Sequence, residues 1–201
     1  RREARPSEQE IIGARLTDRP LRPLFPDGFY NETHIFINVL SFDGENNGNI
    51  LGTLGASASL AISDIPWDGP VASITVGRIS SELIINPTNT QLEESDLEII
   101  ISGTKESVVM VEGEAKFISE EDFLTIIQYG HEAIKDLVQL QEELVKECGK
   151  TKREVMEPEV NEDLIHAVNK LIEGKISDLN TPTNKLERYE NIRHFKEDIV
   201  E

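Results

Sequence analysis

Arg1, Arg2, Arg5, Arg15, Arg19 and Arg22 all fall within the first 22 residues. Only Glu3, Glu8, Glu10 and Asp18 oppose them there, so this stretch is net positive in a chain whose formal net charge is −18. A guanidinium is a planar, permanently charged fork of donors that grips phosphate oxygens in pairs. Arginines gathered on one short stretch therefore suit a polyanion. They equally suit pairing with the 38 acidic side chains of the chain itself, and composition leaves both readings open.

A second candidate chemistry lies in "EESDLEI", where Glu94, Asp96 and Glu98 alternate. On a strand this spacing puts three carboxylates on one face. Mg²⁺ takes carboxylates together with substrate phosphates and water. The competing reading is a solvated strand edge, its acids guarding against pairing with other chains. Other patterns carry less. "GKT" at Gly149–Thr151 lacks the phosphate-loop glycine five positions earlier, where Leu144 stands. His34, His131, His166 and His194 show no metal-ligand spacing, and Asn31-Glu32-Thr33 reads as a chance sequon.

The elements that must position these residues follow from periodicity and caps. Ser7-Glu8-Gln9-Glu10 is a capping box, and the helix it opens should turn Ile11, Ile12 and Leu16 inward and end near Pro20. "THIFINVLS" (33–41) reads as a strand and 43–49 as a loop. The Gly- and Ala-rich stretch 50–63 reads as a buried helix, with Gly52, Gly55, Ala56 and Ala58 lying tight on a sheet. Strands are expected at 71–79, 82–86, 97–102 and 107–113. Ser119 caps a long amphipathic helix with Phe123, Ile126, Ile127, Ile134, Leu137, Leu140, Leu144 and Val145 at helical spacing, stopped by Gly149. Two further helical stretches follow, one from Asn161 and one from Lys185. This predicts an α+β domain over 1–150, a linker over 151–160, and the start of an all-helical domain over 161–201.

At 201 residues, 38% hydrophobic and 29% charged, the chain can bury a core. The single Cys148 excludes an internal disulfide and fits a reducing compartment. No apolar run approaches the roughly 20 residues of a membrane span. A pI near 4.6 argues against wholesale binding to nucleic acid, leaving the arginine stretch as the segment of suitable sign. The chain opens on Arg1 rather than methionine and closes on Glu201 in helical-type sequence, which predicts a piece of a longer polypeptide.

The strings "RREARPSE", "ARLTDRPLRPLFPDGF", "LGASASLAISDIPWDGP", "NPTNTQLEESDLEIIISGTKESVVMVEGEA" and "SEEDFLTIIQYGHEAI" resemble, in order, the bacterial-type polynucleotide phosphorylase family. The resemblance covers the chain to about residue 150. It continues more loosely through "EPEVNEDL" and "KLERYENI".

That resemblance implies an RNase PH-like fold, truncated at its N-terminus, followed by the start of the family's helical domain. It implies a homotrimeric ring that degrades single-stranded RNA from the 3′ end with inorganic phosphate, releases nucleoside diphosphates, and runs in reverse as a template-free polymerase. Mg²⁺ or Mn²⁺ assists in the full-length enzyme, whose setting would be cytoplasmic RNA processing and mRNA degradation, with possible partners in an RNA-degradation complex. Arg1 and Arg2 match the arginines of a Phe-Phe-Arg-Arg loop that guides RNA into the ring's channel. Arg22 matches a further arginine implicated in activity, and Arg5, Arg15 and Arg19 lie in the same strings with a weaker claim to RNA contact.

The family's second RNase PH-like domain carries the catalytic set: a Ser-rich phosphate turn, two aspartates and a lysine. Placed on this half by internal similarity, the pattern puts Gly55–Ser59 opposite the turn, Leu92 and Glu98 opposite the aspartates, and Ile100 opposite the lysine. Only Glu98 keeps a carboxylate, as a weak metal candidate. Leucine cannot ligate a metal and isoleucine cannot neutralise phosphoryl charge. The expectation is a non-catalytic, RNA-guiding scaffold half. The alternatives are a small self-sufficient phosphorolytic nuclease and a non-enzymatic RNA-binding or assembly module.

Overall fold

The computed structural model describes residues 5–156, 161–179 and 184–200. Helix α1 (Glu8–Leu21) begins where the sequence caps it. The Ser7 hydroxyl accepts the Glu10 amide at 3.2 Å, and the Glu10 carboxylate accepts the Ser7 amide at 2.6 Å. Asn47 caps α2 (Gly48–Ile62). Four strands, β1 (Ala72–Ile79), β2 (Glu82–Ile85), β3 (Leu97–Gly103) and β4 (Val108–Ala115), form an antiparallel sheet in the order β2-β1-β3-β4. Ser80 and Ser81, at φ 50° and 70°, close the two-residue hairpin between β1 and β2, as the right-handed twist of paired strands favours. A short helix, α3 (Asn89–Glu94), precedes β3, and α4 (Glu120–Cys148) starts at Ser119.

Alternation along the strands separates two faces. Ala72, Ile74, Val76, Leu97, Ile99 and Ile101 share one face and pack with Ile126, Ile134 and Val138 of α4. Gly130 makes the close approach possible, because a Cβ there would lie 2.6 Å from Ile101 Cδ1 and 2.9 Å from Ile74 Cδ1. The other face carries Ser73, Thr75 and Ser102, all buried, with the Ser73 and Ser102 hydroxyls 2.7 Å apart. Beside this sheet, α1 and α2 run parallel. Gly13 lies against Asn49, and the buried Thr17 and Thr53 hydroxyls meet at 3.3 Å, so contacts advance together along both helices. Leu21, Ala56, Leu60, Ala61, Trp67 and Val71 close a second cluster, in which Trp67 Nε1 donates to the Leu21 carbonyl at 3.0 Å.

Several expectations change. Ile11 and Ile12 are about half exposed, because α2 begins opposite Gly13 and the first turn of α1 overhangs it. Residues 33–41 form no strand. Their backbone finds no ladder among the described residues, and apolar alternation without a neighbouring strand makes no sheet. Ile37 rests on Gly52 and Val39 on Gly48, while Phe36 and Leu40 are 83% and 94% exposed. Helix α2 is accordingly buried on one side only: Leu51 is exposed, and a Cβ at Gly55 would meet nothing within 4 Å. Glu94 ends α3 and Asp96 precedes β3, so the three acids do not share a strand face. Leu140 and Leu144 of α4 face solvent, since Val138 and Gln141 hold the inward positions at that end.

Residues 1–156 and 157–201 form two compact units. In the second, Asn161 caps α5 (Glu162–Ile172), followed by α6 (Ile176–Leu179) and α7 (Lys185–Val200). Among its described residues none of α5 or α7 is buried, and Leu164, Ile165 and Leu171 of the amphipathic α5 remain exposed. No helix among the described residues is long and apolar enough to cross a membrane.

Candidate nucleic-acid interface

The rotation of α1 decides where its arginines point. Gly13, Leu16, Thr17, Pro20 and Leu21 face α2 and the Trp67 cluster. Arg15, Arg19 and Arg22, at helical spacing on the other side, are left exposed, and Arg5 is exposed just before the Ser7 cap. Arg1 and Arg2 lie outside the described residues.

The exposed arginines are not equivalent. Arg22 forks onto Asp18 one turn back, with Nε at 3.1 Å and Nη2 at 2.6 Å from the two carboxylate oxygens. Arg19 pairs with Glu112 on β4, tying α1 to the edge of the sheet. Arg15 makes no ion pair among the described residues. Both pairs are exposed, and exposed pairs of this kind contribute about 0–1 kcal/mol, little enough for a polyanion to compete for the guanidinium.

The family's catalytic pattern lands differently. Gly55–Ser59 sits inside α2 and forms no turn. Ser57 is fully buried, its Oγ accepting the Val71 amide at 2.9 Å, and Ser59 Oγ donates back to the Gly55 carbonyl at 2.8 Å. Both hydroxyls are thereby engaged in the fold. Leu92 lies on α3, while Glu98 and Ile100 lie two apart on β3, on the face away from α4.

Glu98 pairs in register with Glu114 of β4. Burial and the Glu114 charge both push its pKa above the usual carboxylate range, burial more. Two like charges directly opposite on neighbouring strands repel. A cation could relieve this, but among the described residues no group of three or more His, Cys, Asp or Glu side chains could hold a metal ion. Ile100 and Leu92 add no donor atom.

Two charged groups in this unit escaped the sequence reading. Arg78 of β1 chelates Asp96 through Nε (2.9 and 3.1 Å) and Nη2 (2.7 Å), with Asp122 of α4 at 3.6 Å. This holds Asp96 below its ordinary pKa and commits it to structure. Lys152, in the expected linker, turns out to be packed against α2. An arginine inside a strand otherwise without charge is the available signal for the first; the second has none.

The sequence pattern of the 3′ exoribonuclease family, domain 1, matches residues 1–66, and that of domain 2 matches residues 69–133. The chain belongs to the 3′ exoribonuclease family. The junction of the two matches falls at the turn around Trp67, inside one compact unit. Polyribonucleotide nucleotidyltransferase of Syntrophotalea carbinolica is 46% identical over 201 residues, all of this chain and 29% of that protein. Those of Geotalea uraniireducens (46% over 192 residues; 96% and 28%) and Heliobacterium modesticaldum (42% over 201; 100% and 28%) are similar to it to nearly the same degree. The chain thus spans under a third of the length of these relatives. Among solved structures, rice (Oryza sativa) Rrp46 superposes with a TM-score of 0.57 at 14% identity, covering 71% of this chain and 68% of that one. At that identity the likeness concerns the fold, which is of the RNase PH type.

Proposed function

We propose that this chain is a segment of a polyribonucleotide nucleotidyltransferase, a phosphate-dependent 3′→5′ exoribonuclease, in which it serves as scaffold and guides the strand. In the reaction, an oxygen of inorganic phosphate attacks the terminal phosphodiester phosphorus. The bond from phosphorus to the preceding 3′ oxygen breaks, releasing a nucleoside diphosphate and a shortened RNA. Reversal adds a nucleotide and returns phosphate. The observation that carries this reading is similarity at 41–46% identity along essentially the whole chain to proteins of that name.

The chain's own residues would bind and orient. Arg15 and Arg19 on the exposed side of α1 and Arg22 at its C-cap form a positive stripe, which on a chain of net charge −18 concentrates a polyanion where the rest of the surface repels it. Arg5, exposed just before the Ser7 cap, would add to that stripe, and Arg1 and Arg2 would contribute two further cations to RNA contact. Phosphate, Mg²⁺ or Mn²⁺ and the catalytic groups would act elsewhere in the longer polypeptide, since Glu98 stands without the partners the chemistry needs. A homotrimer, a cytoplasmic setting, a role in mRNA degradation and partners in an RNA-degradation complex complete the proposal.

The test is nucleoside diphosphate release from a homopolymeric RNA, with phosphate and Mg²⁺. The folded chain alone should release none, and it should bind single-stranded RNA in a salt-sensitive manner that Arg1, Arg2 and Arg22→Glu abolishes. Phosphate-dependent release by this chain alone would overturn the scaffold role and favour a self-sufficient nuclease. Absence of release from the longer polypeptide as well would favour a non-enzymatic RNA-binding module.

A further inference from the structure

Residues 149–156 have linker composition, with two lysines, an arginine and no apolar period, yet they return along the end of α2. The Lys150 amide donates to the Ile62 carbonyl at 3.0 Å, and the Arg153 amide donates to the Asp64 carbonyl at 2.8 Å. Between them, Lys152 Nζ donates to three carbonyls at once: Leu60 at 2.8 Å, and Ala61 and Ser63 at 2.9 Å. Arg153 adds an exposed ion pair with Asp64 (3.3 Å) and lies over the Phe29 ring at 5.9 Å.

The last carbonyls of a helix lack intrahelical partners and sit at the negative end of its dipole. A lysine ammonium has three donors and one positive charge, so a single side chain reaches three carbonyls there, among them that of Leu60, which also accepts from the Ser63 amide and hydroxyl. We infer that residues 149–156 are a strap and that Lys152 is its latch, fixing the point at which the chain leaves the first unit. Latched, the chain departs at Met156. Released, it departs at the end of α4, and the freed residues add up to roughly 25 Å of reach. Beyond the two amide bonds and the exposed contacts of Arg153, the rest of the strap buries little, because Thr151, Arg153, Glu154 and Met156 are exposed. Lys152 therefore decides between the two states, a conformational control on whatever follows in the chain.

Lys152→Met keeps the aliphatic stem and removes every donor. In the full chain, amide exchange at Lys150 and Arg153 should rise about tenfold or more, as should cleavage after Glu154 by a Glu-specific protease, while amides of β1 and β3 hold. Arg153→Ala, which removes only exposed contacts, should change strap exchange by less than about threefold. Unchanged strap exchange in Lys152→Met would overturn the inference. So would equal release by Arg153→Ala, or a parallel rise across β1 and β3, which would make Lys152 a general element of stability. If Lys152→Met fails to fold, the unsubstituted chain still decides. Its strap amides should exchange through openings insensitive to low urea, and its β1 amides through urea-sensitive unfolding. A common urea dependence would refute the strap.

Discussion

The two sides of the first unit are built from similar amounts of apolar sequence and end in different states. On the sheet side, Ile74, Val76, Ile99 and Ile101 meet Ile126, Ile134 and Val138 of α4, and every one of them is at most 3% exposed. On the α2 side, residues 33–42 present Ile35, Phe36, Ile37, Val39, Leu40 and Phe42, yet Leu40 is 94% exposed. Between this segment and the outer side of α2 lies an open cavity of about 920 Å³, lined by Ile35, Ile37, Leu51 and Gly55 among others. Burial thus depends on a partner surface being present, and the hydrophobicity of a segment supplies only half of the interface. The sheet side makes its own partners by hairpins and one long helix. The 33–42 segment has α2 beneath it and, among the described residues, no strand beside it.

The comparison breaks most visibly in the core. Ile101→Ala should cost about 2–5 kcal/mol, because the tip of Ile101 fills the notch over Gly130 and leaves a cavity there. Leu40→Ser should change stability by less than about 0.5 kcal/mol and reduce self-association. Urea midpoints for both variants, with sedimentation of the second, check the contrast. If Leu40→Ser proved as damaging as Ile101→Ala, the α2 side would be as closed as the sheet side.

Next in size is the joint between the two sides. Ser57 Oγ is the acceptor for the Val71 amide, and both residues are fully buried. Ser57→Ala strands that amide and should cost about 1–3 kcal/mol, whereas Ser59→Ala on the exposed side of the same helix should be near neutral. The pair of urea curves separates a serine that holds the fold from one that merely resembles a phosphate turn in sequence.

A smaller effect sharpens the account of the polar sheet face. With its pKa raised, Glu98 holds its proton more tightly folded than unfolded. Its stabilising contribution is present below the ordinary carboxylate range and is lost as pH rises through the raised value. Glu98→Gln removes the repulsion with Glu114, so it should gain a few tenths of a kcal/mol, about the weight of one cross-strand pair, at pH 7. That gain should vanish near pH 4. Thermal melts at the two pH values decide, and a gain independent of pH would assign the effect to packing instead of charge.

Legibility from sequence followed the same divide. The capping boxes at Ser7 and Thr88 and the caps at Asn47, Ser119 and Asn161 are set by hydrogen bonds within a few residues. The Ser7 and Ser119 caps could be read directly, and so could the four strands, whose Ile- and Val-rich runs end at Gly, Pro and Asn. What needed the third dimension was different in kind. Whether Ile11 is covered depends on where α2 begins, and whether 33–41 is a strand depends on a neighbour. Whether Ser57 faces a ligand or an amide depends on the packing of α2 against β1. For the arginines, sequence located the stripe, but their ion pairing with Asp18 and Glu112 is a property of the folded surface. Lys152 carried no sequence signal at all, because the carbonyls it meets lie about ninety residues earlier in the chain.

The smallest stability effect, and the one most informative about function, concerns Arg22 and Asp18. An exposed pair one turn apart contributes about 0.3–0.5 kcal/mol, so neither Asp18→Asn nor Arg22→Ala should shift the urea midpoint by more than that. RNA binding separates them. If Arg22 contacts a phosphate of a single strand, Arg22→Ala removes one released counterion. The slope of log K against log salt should then fall by about 0.7, at a uniform cost for every homopolymer. Asp18→Asn leaves that slope intact and should tighten binding, because the carboxylate that competes with the phosphate for the Arg22 fork is gone. If both substitutions leave slope and affinity alone, the Arg22–Asp18 pair belongs to the framework of α1, and guidance of the strand falls to Arg15 and the arginines nearer the N-terminus.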